Sequence, residues 1–231
     1  MGEFAIGQGV PRFEAPRLVT GRGSYVDDVV LPRMAFATVL RSPYGHARIL
    51  SIDTTKAKEA PGVLAVLTGA DWEASGWGDL PVPRGLKRRD GSDMYRPRYP
   101  ALNKDRVRWV GDYVAFVVAE TLNQAKDAAE LIDVEYEPLG VVVSTAEAAE
   151  QGSALVWDDC PRNICFVELM GDKAKTDAAF EQADHVVKCR FVINRVTAAT
   201  MEPRGCVASY NAADDHYTLH TGLQRAFNYR S

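Results

Sequence analysis

The chain has 231 residues, 46% hydrophobic and 25% charged, with a net charge of −4. That suits one large globular domain or two small ones, and the acidic balance argues against general nucleic-acid binding. No apolar run approaches the roughly 18 residues of a membrane span, and Met1-Gly2-Glu3-Phe4 lacks the basic region and apolar core of a secretory leader, so a cytoplasmic location is expected.

In chain order, residues up to Arg17 read as an extended arm, because Pro11 and Pro16 oppose a helix. Met34–Leu40, bounded by Pro32 and Pro43, suits a buried strand, and Arg48–Ile52 alternates as a second. Asp53 is placed to cap a short helix through Ala60, stopped by Pro61-Gly62. Val63–Leu67 is a third strand. Gly69–Asp105 reads as a long irregular segment carrying Arg84, Lys87, Arg88, Arg89, Arg96 and Arg98. A phosphate or partner contact is one reading of that cluster, and a solvated loop is favoured.

Order returns at Val107, with a strand at Tyr113–Ala119. Thr121 and Gln124 form a capping box, and Leu122, Ala125, Ala129 and Ile132 fall on one helical face. Asp133–Tyr136 alternates as a strand, and Ser144 with Glu147 opens another short helix ending near Gly152. Ala154–Asn163 reads as a connector. Strands follow at Ile164–Leu169, Val186–Ile193, Cys206–Tyr210 and Tyr217–His220, with a helix from Thr176 or Asp177 through Ala183. The turn Asn211–Asp215 joins the last two strands. This irregular mixture is α+β rather than a βαβ repeat.

Cys160, Cys165, Cys189 and Cys206 include no C-x-x-C pair, so reduced, mostly buried thiols are expected rather than a zinc or iron–sulfur site. Gly7-Gln8-Gly9 and Gly21-Arg22-Gly23 are not dinucleotide fingerprints, since neither follows a strand and opens a helix with the third glycine.

One run stands out: Arg41-Ser42-Pro43-Tyr44-Gly45-His46-Ala47-Arg48-Ile49. It resembles a signature near the start of the molybdenum-binding large subunits of the xanthine oxidase family, which includes aerobic carbon monoxide dehydrogenases and aldehyde oxidoreductases. Further blocks resemble that family in the same order. They are Gly21–Asp28, Pro61-Gly62-Val63, Val110–Ala115 (with Asp112 and Tyr113 in place of Glu and Pro), Asp133–Leu139 and Met201-Glu202-Pro203-Arg204-Gly205. The resemblance runs from about Arg17 to Gln224 and looks closest to the carbon monoxide dehydrogenase large chain.

The resemblance implies an α/β hammerhead domain over residues 18–140 and the truncated start of a molybdopterin-binding domain over 155–231. It implies a full-length enzyme that holds molybdenum through molybdopterin, in its cytosine dinucleotide form, and works with iron–sulfur and FAD-binding subunits. Carbon monoxide, aldehydes and purines are all open as substrates. The residues after Gln224, Arg225-Ala226-Phe227-Asn228, depart from the family's pattern. The later family segments that contact the pterin and supply the general base have no counterpart before Ser231. Neither bound metal nor turnover is therefore expected of this chain alone, and uncovered strand edges predict self-association. The alternative is a stand-alone, non-catalytic binding or assembly module reusing the hammerhead fold.

Among individual residues, Gln224, at the end of Thr221-Gly222-Leu223-Gln224, matches a family glutamine close to the metal. Its amide is a candidate cofactor-binding group through a hydrogen bond to a metal oxo or hydroxo ligand. No catalytic residue and no metal ligand is assigned. Glu202 and Arg204 invite an acid–base or substrate-anchoring reading, but a structural ion pair shaping the turn before Cys206 is favoured, and His46 is read as a packing or subunit-contact residue rather than a general base.

Overall fold

The computed structural model describes residues 9, 11–81 and 85–224. Met1–Phe4, Gly7-Gln8, Arg84 and Arg225–Asn228 lie outside the described residues. The chain divides into two compact units, Ala35–Val187 and the pair Met1–Met34 with Lys188–Ser231.

In the split unit, the expected extended arm contains a short helix, α1 (Ala15–Val19). Pro16 lies in its first turn, where a backbone N–H has no helical partner to lose, so the proline is tolerated. A 3₁₀ turn follows at Val26–Asp28, closed by the Tyr25 N–H donating to Asp28 Oδ2 at 2.8 Å.

The Ala35–Val187 unit holds two three-stranded antiparallel sheets. Its elements are β1 (Phe36–Arg41), β2 (Ala47–Asp53), α2 (Thr55–Glu59), β3 (Val63–Thr68), α3 (Gly69–Ala74), β4 (Arg106–Val107), β5 (Tyr113–Ala119), α4 (Leu122–Glu130), β6 (Asp133–Pro138), α5 (Thr145–Ala148) and α6 (Lys173–Glu181). One sheet has the order β1-β5-β3 and the other β4-β2-β6. Central β5 pairs Phe36 with Ala119 on one side and Val63 with Ala119 on the other.

Alternation along β5 divides its side chains between two clusters. Ala115, Val117 and Ala119 join Val66, Ala57 and the Ala125, Ala128 and Ala129 face of α4. Val114 points the other way, to Ala47 and Val107. Alanines on α4 bring its backbone close to the sheet. Each fully buried valine contributes about 1.5–3 kcal/mol relative to exposure.

Helix starts follow local chemistry. Thr121 Oγ1 accepts the Gln124 N–H at 3.3 Å, and Ser144 Oγ accepts that of Glu147 at 3.4 Å. Asp53 Oδ1 accepts the Thr55 N–H at 2.9 Å and so opens α2, although the residue at the cap position is Thr54. Leu122, expected on the buried face of α4, is 42% exposed.

Four further expectations fail. The irregular reading of Gly69–Asp105 misses α3, which Thr68 and Asp71 cap reciprocally, with the Thr68 N–H donating to Asp71 Oδ2 at 2.7 Å. The helix expected from Thr176 starts three residues earlier, because Asp172 Oδ1 accepts the Lys175 N–H at 3.1 Å. Ile164–Leu169 and Val186–Ile193 form no strand. A strand is completed by ladder hydrogen bonds to a neighbour, and neither segment has one among the described residues.

The split unit continues into β7 (Cys206–Asn211) and β8 (His216–Thr221), an antiparallel hairpin with Cys206 opposite Thr221. Asn211 Oδ1 accepts the Ala213 N–H at 3.0 Å, Asp215 adopts φ +47°, and the Tyr210 and Tyr217 rings lie 4.5 Å apart. The sequence-expected hairpin and its Asn/Asp turn are both present.

Candidate functional site

The Arg41–Ile49 run bridges β1 and β2 and folds around a buried polar cluster. The Ser42 N–H donates to the Asp112 carbonyl and the Gly111 N–H to the Ser42 carbonyl, each at 2.8 Å. Ser42 Oγ accepts the Tyr44 N–H at 3.0 Å, which tightens the turn at Pro43. Two sequence blocks 70 residues apart, Arg41–Ile49 and Val110–Ala115, are therefore one structural feature.

Asp112, only 2% exposed, organises its floor. Its carboxylate accepts from Asn103 Nδ2 at 2.7 Å, the Arg108 N–H at 2.9 Å and the Tyr113 N–H at 3.1 Å. Burial nevertheless pushes the Asp112 carboxyl above its ordinary range, against the lowering effect of those hydrogen bonds. Tyr113 stands where the family pattern has proline, and its N–H and its ring are both used. The Arg41 guanidinium lies 4.5 Å from the ring centroid.

His46 is 6% exposed, and its Nδ1–H donates to the Gly140 carbonyl at 3.0 Å. Its Nε2 is buried with no hydrogen-bond partner among the described residues. Enclosed in this way, His46 packs the end of the run.

The second site lies in the split unit. Glu202 Oε1 accepts the Val26 N–H at 3.0 Å, the Thr200 hydroxyl donates to the Glu202 carbonyl at 2.8 Å, and the Thr221 hydroxyl donates to the Gly205 carbonyl at 3.2 Å. Gly222 lies so close that a Cβ there would sit 3.0 Å from Glu202 Oε2. The Met201–Gly205 and Thr221–Gln224 blocks thus meet in space. Glu202 serves as a backbone acceptor, and no Glu202–Arg204 ion pair occurs among the described residues.

Gln224 follows this clamp and is exposed. A carboxamide carries two donors and an acceptor, so Gln224 fits a hydrogen-bonding role toward a cofactor that brings its own metal ligands. Among the described residues, no group of three His, Cys, Asp or Glu side chains could hold a metal ion.

Of the basic segment, Lys87, Arg88 and Arg98 are engaged within the Ala35–Val187 unit. Lys87 Nζ lies 2.5 Å from Asp93, Arg98 Nε lies 2.9 Å from Asp79, and Arg88 Nε donates to the Cys165 carbonyl at 3.1 Å. The expected solvated loop is thus tied down at three of its basic side chains. The cysteines correct their expectation: Cys160 is buried and Cys165 half-buried, but Cys189 and Cys206 are exposed. No helix among the described residues is long and apolar enough to cross a membrane.

Comparison with known proteins agrees with the motif order. Residues 20–140 match the family model for the aldehyde oxidase and xanthine dehydrogenase a/b hammerhead domain, and residues 156–231 match that for the molybdopterin cofactor-binding domain. The chain is 38% identical over 219 residues to the nicotine 6-hydroxylase large subunit of Paenarthrobacter nicotinovorans, covering 95% of this chain and 26% of that protein. It is 39% identical over 220 residues to the carbon monoxide dehydrogenase large chain of Afipia carboxidovorans, covering 90% and 26%. Among solved structures, the reconstituted CO dehydrogenase from Oligotropha carboxidovorans superposes with a TM-score of 0.81 at 36% identity, covering 97% of this chain and 28% of that one. The chain therefore spans about a quarter of the length of the curated relatives it matches. The resemblance carried by Arg41–Ile49 and the later blocks is borne out: the chain belongs to the aldehyde oxidase and xanthine dehydrogenase family and carries its α/β hammerhead domain.

Proposed function

We propose that the chain is the N-terminal portion of a molybdenum hydroxylase large subunit, with a hammerhead scaffold over residues 18–140 and the opening of the molybdopterin-binding domain over 155–231. The observation that carries this reading is the succession of the two family matches, hammerhead then cofactor-binding, along a chain aligned with a quarter of large-subunit relatives. The cofactor, when bound, supplies the redox chemistry that oxidises carbon monoxide or hydroxylates a carbonyl or heteroaromatic carbon. Carbon monoxide dehydrogenase-like activity is the first to be assayed, followed by aldehydes and purines.

Within that assembly the chain's own residues position rather than react. The Gln224 amide would donate a hydrogen bond to the cofactor when it is bound. Glu202, anchored on Val26 and pressed against Gly222, sets where the end of β8 directs Gln224. The Asp112 cluster fixes the scaffold between β1 and β5. Iron–sulfur and FAD-binding subunits complete electron transfer, the pterin carries the cytosine dinucleotide, and the assembly works in the cytoplasm. Alone, the 231-residue chain turns nothing over.

The test is complementation. The chain is co-expressed with the remaining part of a carbon monoxide dehydrogenase large chain and its companion subunits, then purified by a tag on the chain. Co-purification with molybdenum and carbon monoxide or aldehyde oxidation supports the reading. Stoichiometric molybdenum in the isolated chain, or absence of any assembly, would refute it. In the assembled enzyme, Gln224→Ala is expected to lower kcat about 10-fold or more with little change in molybdenum content, as for loss of one hydrogen bond at a metal centre.

A further inference from the structure

The Ala35–Val187 unit contains a cleft of about 260 Å³ that adjoins the Asp112 cluster, sharing Asn103 and Arg108 with it. Trp72 and Trp157 contribute aromatic surface to its lining, with Leu102 buried beside them. The volume is slightly below the ~300 Å³ at which small-molecule sites usually begin, so it suits a single-ring compound.

The charges lining the cleft are unequal in a useful way. Four cationic side chains, Arg98, Lys104, Arg106 and Arg108, meet three anionic ones, Glu73, Asp79 and Asp105. Arg98 is held by Asp79 at 2.9 Å, Lys104 by Glu73 at 2.7 Å, and Arg106 by Asp158 at 3.0 Å. Among the described residues Arg108 has no carboxylate within ion-pair distance. Its guanidinium lies 3.5 Å from the Trp157 ring centroid, its Nη1 donates to the Arg106 carbonyl at 3.4 Å, and its Nε is buried without a hydrogen-bond acceptor among the described residues.

A half-buried guanidinium with an unmet donor is costly to desolvate, and an incoming anion offsets that cost. Because one face of Arg108 lies on Trp157 and Nη1 makes only a long bond to the Arg106 carbonyl, donors remain on its edge, and a planar carboxylate matches that edge better than a tetrahedral anion. The neighbouring indoles favour an aromatic body on the same ligand. We infer that this cleft is a binding site for a small, planar organic acid, its carboxylate on Arg108 and its ring against Trp72 and Trp157.

The inference does not depend on the molybdenum hydroxylase reading, and its test uses no activity. Benzoate is titrated into the 231-residue chain, followed by indole fluorescence and calorimetry, with benzamide as the uncharged control. Saturable benzoate binding that benzamide does not share is expected. Arg108→Gln should weaken it about 10-fold or more, as for loss of a charge-assisted hydrogen bond. Asp105→Asn removes an exposed acid lining the cleft and should tighten binding about two- to threefold through reduced repulsion, a gain that misfolding cannot mimic. Equal responses to benzoate and benzamide, no saturation, or an Asp105→Asn variant that binds no better would each overturn the assignment.

Discussion

The Glu202 carboxylate accepts the backbone N–H of Val26 at 3.0 Å, joining residues 176 positions apart. An acid in a family motif invites a catalytic reading, but this one is engaged with backbone and pressed against Gly222. Glu202→Ala is expected to destabilise the split unit by about 1–2 kcal/mol, the cost of an unmet amide donor. Glu202→Gln, which retains an acceptor oxygen, should cost less. Hydrogen exchange at the Val26 amide reports both, and equal exchange in the two variants would contradict the assignment.

Gly222 and Glu202 should be energetically coupled. Gly222→Ala puts a methyl 3.0 Å from Glu202 Oε2, so the carboxylate must shift and its bond to Val26 must lengthen. Gly222→Ala is therefore expected to cost about 0.5–1.5 kcal/mol more in the parent than in a Glu202→Ala background. Denaturant melts of the two single variants and the double variant measure the difference.

Asp112 should give stability a pH dependence of defined sign. Folding raises its pKa, chiefly by burial, so the folded chain binds this proton more readily than the unfolded chain. Its stabilising contribution is complete below the ordinary value of 3.8 and is lost as pH rises through the higher folded value. Asp112→Asn should flatten that segment of the stability curve. It should also cost about 1–3 kcal/mol, because one orientation of an amide cannot accept all three N–H groups and the Arg108 N–H is left unmet. Urea denaturation as a function of pH tests both effects.

The segment after α6 predicts association. Val187, Phe191 and Ile193 are 83%, 83% and 92% exposed, on a β-favouring stretch without a ladder partner among the described residues. The chain is expected to self-associate as its concentration rises, and Phe191→Lys with Ile193→Lys should suppress this. Light scattering of the two proteins decides it: a parent chain that stays monomeric at high concentration refutes the prediction.

Elements governed by near neighbours were legible in the sequence. β5 rests on a continuous run of valine, alanine and phenylalanine, and the caps of α4 and α5 on Thr121–Gln124 and Ser144–Glu147 pairs that act within one turn. The β7–β8 hairpin was legible for the same reason: its Asn211–Asp215 turn is self-sufficient. α1 and α3 were hidden by Pro16 and by the glycine-rich composition after Thr68, although Thr68-x-x-Asp71 carried the capping signal. Val186–Ile193 had the composition of a strand, but composition cannot supply a partner.

What the sequence determined by itself is the family, through the order of its motifs, and the local elements that short-range hydrogen bonds and side-chain period dictate. Only the tertiary structure decided what those motifs do. Arg41–Ile49 closes around Asp112 because burial demands acceptors for its backbone, and Glu202 turns to Val26 because an amide 176 residues away needs one. Such pairings depend on which distant groups folding brings within 3 Å, and spacing along the chain carries no record of that distance.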